Sequence, residues 1–159
     1  PQLKITAFLS QVGGVPLIRD KSFPQAVSDM ITAAVEQGDS LGAVISCEVT
    51  DIPAGLGNPF FDSVESLLSH VIFAIPGIKG ITFGLGFDET LIMGSQNPHI
   101  GGLAGGITNG DTVSFQVAVK PTPTVGKKGR HDACFALRVP VVIEAVTAMV
   151  LADLIITPA

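Results

Sequence analysis

Val139-Pro140-Val141-Val142-Ile143-Glu144-Ala145-Val146-Thr147-Ala148-Met149-Val150-Leu151-Ala152-Asp153-Leu154-Ile155-Ile156 is the stretch that decides the fold. It reads as one helix, apolar on nearly every side. It approaches the length of a membrane span, but Glu144 and Asp153 interrupt it and no basic flank follows. The expectation is a helix buried on most sides rather than one in lipid. A helix covered on two faces needs a layer on each, so the pattern predicts a sandwich with helices in the middle and sheets outside.

The elements upstream agree. Leu3–Leu9 alternates as a strand, and Gly13-Gly14 and Pro16 mark a turn region. Ser22 and Pro24 predict the cap and first turn of a helix that carries Val27, Met30, Ile31, Ala34 and Val35 on one face. That helix ends at Gly38. Leu41–Val49 predicts a second strand. Asn58-Pro59 predicts the start of a helix with Phe60, Phe61, Val64, Leu67, Leu68, Val71, Ile72 and Ile75 at helical spacing. Ile78–Phe83 and Thr112–Val119 are the remaining strands, separated by a region where eight glycines fall between Gly84 and Gly110. The order predicts an α+β chain of one domain over residues 1–159. A doubly wound parallel sheet fits less well, because Ser46, Glu48 and Gln116 put polar groups into strands such a sheet would bury.

The chain has 159 residues, 47% hydrophobic and 14% charged, with mean hydropathy +0.53. That is enough for one domain with a core of its own. A net charge of −5 argues against nucleic-acid binding, which needs surplus Lys and Arg. Cys47 and Cys134 have no metal-type spacing, so the simple reading is a reduced, cytoplasmic protein. The sequence opens at Pro1 with a strand already under way, which is expected of part of a longer chain.

Against so few charges, one region stands out. Lys120-Pro121-Thr122-Pro123-Thr124 and Gly129-Arg130-His131-Asp132 place four potential site groups within thirteen positions, framed by Pro and Gly. Burying such charges unpaired is costly, so this is a loop, suited to an anionic ligand. Lys and hydroxyls suit a phosphate, Arg is a fork donor, and an Asp near Arg stays ionised and can accept a proton. Adjacent residues on an extended chain do not face one way, so at most two of Arg130, His131 and Asp132 reach one site. A proline-rich strand exit and a charged surface turn remain the plain alternatives. The segment Gly101–Gly110 matches neither a Walker loop nor a dinucleotide fingerprint; a ligand cradle and a strand bend both stay open. His70 reads as a surface or interface residue, and His99 is assigned no role.

Taken together, these motifs resemble the chorismate synthase family. Gly55–Asp62 (GLGNPFFD) is similar to the family's GLGEPVFD, Ile75–Gly80 (IPGIKG) to its SIPAVKG, and Gly94–Asn97 to the GS motif that follows. Gly101–Gly110 resembles AGGI-GGISNG, Lys120–Thr124 resembles KPTPS, and Gly129–Pro140 resembles GRHDPCVVPRAVP. The likeness is strong from about Asp51 to Ile156 and weak before that. Two joins are shorter than in the family, Asn97–His99 before the glycine motif and Val125–Lys128 before GRHD. The family's amino-terminal half, with both catalytic histidines, has no counterpart here.

The resemblance implies a β-α-β sandwich with long central helices between antiparallel sheets, of which this chain is the carboxy-terminal half. It implies a lyase that uses reduced FMN to convert 5-enolpyruvylshikimate 3-phosphate to chorismate and phosphate by 1,4-anti elimination. It implies a homotetramer in the cytoplasm, with no membrane partner. Pro76, Gly77, Gly105, Lys120, Pro121, Thr122, Pro123, Thr124 and Arg130 match flavin-contacting positions, and Arg130 lies beside the substrate. Asp132 matches the carboxylate that serves as base toward the flavin N5 proton. Arg138 matches a family arginine of the substrate side. The alternatives are a non-catalytic remnant that keeps only folding and subunit contacts, and a general phosphate or nucleotide module.

Overall fold

A computed structural model describes residues 2–96, 101–126 and 132–157. Strand β1 (Lys4–Val12) turns through Gly13-Gly14 into the short β2 (Val15–Pro16), then helix α1 (Gln25–Gln37) leads to β3 (Ala43–Thr50). Helix α2 (Val64–Phe73) and β4 (Ile78–Phe83) follow, then a two-residue hairpin of β5 (Leu103–Ala104) and β6 (Ile107–Thr108). Strand β7 (Val113–Val119) and helix α3 (Val139–Ile156) complete the chain. Five strands form one antiparallel sheet in the order β2-β1-β3-β7-β4.

The sheet settles the question raised by its polar residues. On β3, Ala43, Ile45, Cys47 and Val49 are buried, while Val44, Ser46, Glu48 and Thr50 lie on the other face. One buried and one more open face is the pattern of an antiparallel sheet. Gln116 falls on the exposed positions of β7 in the same way. The α+β class expected from the sequence is the one observed.

Several boundaries differ from the sequence reading. β1 runs to Val12 instead of stopping at Leu9, because a bulge at Ser10 shifts the register between Leu9 and Gln11 and breaks the alternation. β3 starts at Ala43, two residues later than expected. α1 begins at Gln25 with Pro24 as its cap residue, so Ser22 does not cap it; Gly38, in a left-handed conformation, ends it as expected. α2 starts at Val64, not at Asn58. Residues Asn58 and Asp62 exchange two backbone hydrogen bonds (2.8 and 3.1 Å) and close a loop, leaving Phe60 and Phe61 exposed. Ser63 then caps the helix by accepting the Ser66 N–H at 3.1 Å.

α3 has the predicted span but not the predicted burial. Val139, Ile143, Thr147, Val150 and Leu151 pack inward, while Val141, Val142, Met149, Ile155 and Ile156 are exposed. Phe135–Ile156 is long and apolar enough, by composition, to cross a membrane. Its inner stripe nevertheless packs on the sheet. Glu144, one of the charges that interrupts it, accepts the Ala7 N–H from the open edge of β1 at 2.8 Å. Among the described residues there is one large sheet, so the helix is covered on one side only.

Candidate functional site

At one end of the sheet, three segments far apart in sequence converge. Pro76-Gly77 lies just beyond the end of α2, and Gly77 adopts a positive φ of 93° to turn the chain into β4. Its carbonyl accepts the Lys120 N–H at 2.9 Å, where Lys120 leaves β7. A Cβ placed on Gly77 would stand 3.6 Å from the Phe135 ring, so the segment after Asp132 forms the third side. Lys120, Pro121, Pro123 and Thr124 are exposed, while Thr122 is half-buried.

Asp132 is half-buried and both of its oxygens are engaged. Oδ1 accepts the Cys134 N–H at 3.2 Å, and Oδ2 pairs with the Arg138 guanidinium. A carboxylate has about four acceptor positions, so these two partners leave others open. Arg138 is mostly exposed and is the last residue before α3. Its observed partner is Asp132. Arg130 and His131, with Lys127 and Lys128 of the short join before GRHD, lie outside the described residues, as does His99. His70 is exposed on α2.

Gly105 does not join this cluster within one chain. With Gly106 it forms the turn of the β5–β6 hairpin, φ 59° and 82°. The hairpin braces the start of α2: Gly106 O accepts the Val64 N–H at 2.9 Å. Thr108 Oγ1 accepts the Leu56 N–H and donates to Pro53 O. Pro76-Gly77 lies past the other end of that helix, and α2 has ten residues, so the two glycine sites are about 15 Å apart along it. Beside the hairpin, a cavity of about 500 Å³ is lined by Asn58, Asp62, Asp153 and Thr157 among others; its carboxylates have the wrong sign for a phosphate.

The sequence concentrates its cations around the Lys120 and Asp132 motifs. Five of the nine Lys and Arg residues (Lys120, Lys127, Lys128, Arg130, Arg138) fall between positions 120 and 138, in a chain of net charge −5. The two thiols take no part in such a site. Cys47 is fully buried, and burial pushes its pKa up to about 12. Burial also raises Cys134.

Two connections went unnoticed in the sequence. Ser40 Oγ donates to Thr122 O at 2.6 Å, and Leu41 N donates to Ala133 O at 2.7 Å. Neither has a local signal, since each spans more than eighty residues.

Fold and site together define an α+β protein whose sheet end presents a cationic, proline-framed loop beside a carboxylate. The family model for chorismate synthase matches residues 2–156, and the chain belongs to that family. The match reaches well before Asp51, where no motif carried the resemblance. The chain is 42% identical to a chorismate synthase of Chitinophaga pinensis, over 96% of this chain and 52% of that one. It is 40% identical to one of Dehalococcoides mccartyi, over 79% and 43%. A crystal structure of chorismate synthase superposes with a TM-score of 0.81 at 27% identity, covering 98% of this chain and 57% of that one. The chain thus spans about half the length of the relatives it matches.

Proposed function

We propose that this chain supplies the carboxy-terminal half of a chorismate synthase and one wall of its reduced-FMN and phosphate site. The observation that carries the reading is the convergence of Pro76-Gly77, Lys120–Thr124 and the Asp132–Arg138 segment at one sheet end. The residues suit a phosphorylated cofactor. Among the described residues Lys120 has no ion-pair partner, and the loop it opens is exposed. Reduced FMN, when bound, supplies the electron-rich ring that assists loss of a non-acidic C–H proton and of phosphate.

The chain's own residues do the rest. Lys120, with Arg130, would offset the charge of the departing phosphate. Pro121 and Pro123 restrict the backbone, so Thr122 and Thr124 are offered in fixed positions. Asp132 accepts the proton at its carboxylate, and Arg138 holds that carboxylate in place. The substrate is 5-enolpyruvylshikimate 3-phosphate, the products are chorismate and phosphate, and the working form is a cytoplasmic homotetramer. The exposed apolar stripe of α3 supports burial against further protein.

Anaerobic titration of the protein, as its gene encodes it, with reduced FMN and then 5-enolpyruvylshikimate 3-phosphate tests this reading. Stoichiometric phosphate release that depends on FMN supports it. FMN binding without turnover would favour the remnant, and preference for ATP or NAD would favour a general nucleotide module.

A further inference from the structure

The two loops of the site are not held by the sheet alone. They are tied to the connector between α1 and β3, residues 38–42, which lies before the motif-bearing part of the chain. Gly38 O accepts the Gly126 N–H at 2.7 Å, Ser40 Oγ donates to Thr122 O at 2.6 Å, and Leu41 N–H donates to Ala133 O at 2.7 Å. The Lys120–Thr124 loop is therefore tied at Thr122, the chain just beyond it at Gly126, and the Asp132 loop at Ala133, all by the connector of residues 38–42. Gly42 completes the fit: a Cβ there would lie 2.9 Å from Val119 O and 3.1 Å from Pro121 Cδ.

Packing fixes only part of the connector: Leu41 lies against the core and Gly42 against β7 and Pro121. A cavity of about 180 Å³ lies behind it, lined by Met30, Ala34, Gln37, Asp39, Ser40 and Leu41 among others. On that side no side chain packs against the connector, so its hydrogen bonds help to fix its geometry. The loop offers few of its own, since Pro121 and Pro123 have no N–H to donate. Of the three ties, the one from Ser40 is made by a side chain. Asp39 Oδ1 accepts the Ser40 backbone N–H at 2.7 Å and so holds the backbone from which that side chain projects.

We propose that Ser40 is a positioning residue for the flavin-phosphate site: through the Thr122 carbonyl it sets the Lys120–Thr124 wall at its working distance from the Asp132 wall. The inference rests on the reduced-FMN reading above. Ser40 contacts the loop and acts through it.

The test uses the protein as its gene encodes it, with Ser40→Ala and Ser40→Thr. Three quantities are read: the Kd for reduced FMN by anaerobic titration, turnover at saturating FMN, and the ligand-free Tm. Ser40→Ala should weaken FMN about fivefold, the size of one net hydrogen bond. Turnover at saturation should stay within about twofold, and the ligand-free Tm within about 4 °C. Ser40→Thr keeps the hydroxyl and should restore affinity. If the unaltered protein does not bind reduced FMN, the underlying reading fails. If it binds and Ser40→Ala binds equally well, the inference alone fails. A large fall in ligand-free Tm, with affinity and turnover lost together and no recovery in Ser40→Thr, would make Ser40 a stability residue and overturn the positioning role.

Discussion

Gly106→Ala and Gly77→Ala should differ sharply in cost, although both glycines have positive φ and both lie beside α2. Gly77 has φ 93°, and an added Cβ would meet the Phe135 ring at 3.6 Å, an ordinary contact. Its cost is backbone conformation alone, about 1–2 kcal/mol. Gly106 has φ 82°, but its Cβ would stand 2.4 Å from the Ser63 Cβ. Carbon atoms rest at about 3.5–4.0 Å, so Ser63 must retreat by more than an ångström. That movement pulls the cap off α2, where Ser63 accepts the Ser66 N–H, at about 1 kcal/mol. It also loosens the Val64 N–H to Gly106 O bond, about 1 kcal/mol more. With the conformational term, Gly106→Ala should cost about 3–4 kcal/mol. For a chain of this size that lowers Tm by about 6–16 °C, against about 2–8 °C for Gly77→Ala. Urea unfolding followed by circular dichroism measures both. Equal costs, or a Gly106→Ala cost under about 1 kcal/mol, would refute the claim that the glycine hairpin is braced against the helix cap.

Other substitutions probe single contacts. Asp132→Asn should cut turnover strongly while leaving FMN affinity within a few-fold, because it removes the proton acceptor and keeps an oxygen for Cys134 N–H; undiminished single-turnover rates would remove Asp132 from the chemistry. Thr147 Oγ1 is buried without a hydrogen-bond partner among the described residues, and it lies beside the Cys47 thiol. Thr147→Val should therefore stabilise the protein by about 1 kcal/mol in denaturant melts, and a loss of stability would show that the hydroxyl is paired. Cys47 and Cys134 should resist a thiol reagent at pH 8 in the native state and both react once unfolded; mapping the label by mass spectrometry decides it. The raised Cys47 pKa also sets a sign. The folded state keeps the neutral thiol while the unfolded state ionises near 9, so this contribution is complete below pH 9 and is lost as pH rises toward about 12. Cys47→Val should flatten that decline.

Much of the architecture was legible because it is periodic. β4 and α3 have the ends their patterns predict, and Gly38 stops α1 where a left-handed residue is needed. The errors have local physical causes. A bulge at Ser10 hid the last third of β1, since one extra residue reverses which side chains face inward. Phe60 and Phe61 fall in phase with the apolar face of α2, so periodicity drew them into the helix. The cap signal, Ser63 with its acceptor aimed at Ser66, marks the true start and is weaker than two aromatics in a pattern count.

The two faces of α3 carry the harder lesson. Composition says that the helix is apolar all round, which is a statement about what finally surrounds it. This chain provides a sheet for one face and leaves Val141, Val142, Met149, Ile155 and Ile156 open on the other. The same gap separates motif from site. The proline-framed loop, the turn at Gly77 and the Asp132 segment could each be noticed in the sequence, but their convergence could not. It depends on Gly77 O meeting Lys120 N and on Phe135 lying under Gly77, contacts that span tens of residues. Gly105 shows the reverse. It belongs to the same set of motifs, yet α2 separates it from the loop cluster, because that hairpin is used to hold a helix start. A motif identifies which residues matter. Which of them share a site is decided by the lengths of the elements between them.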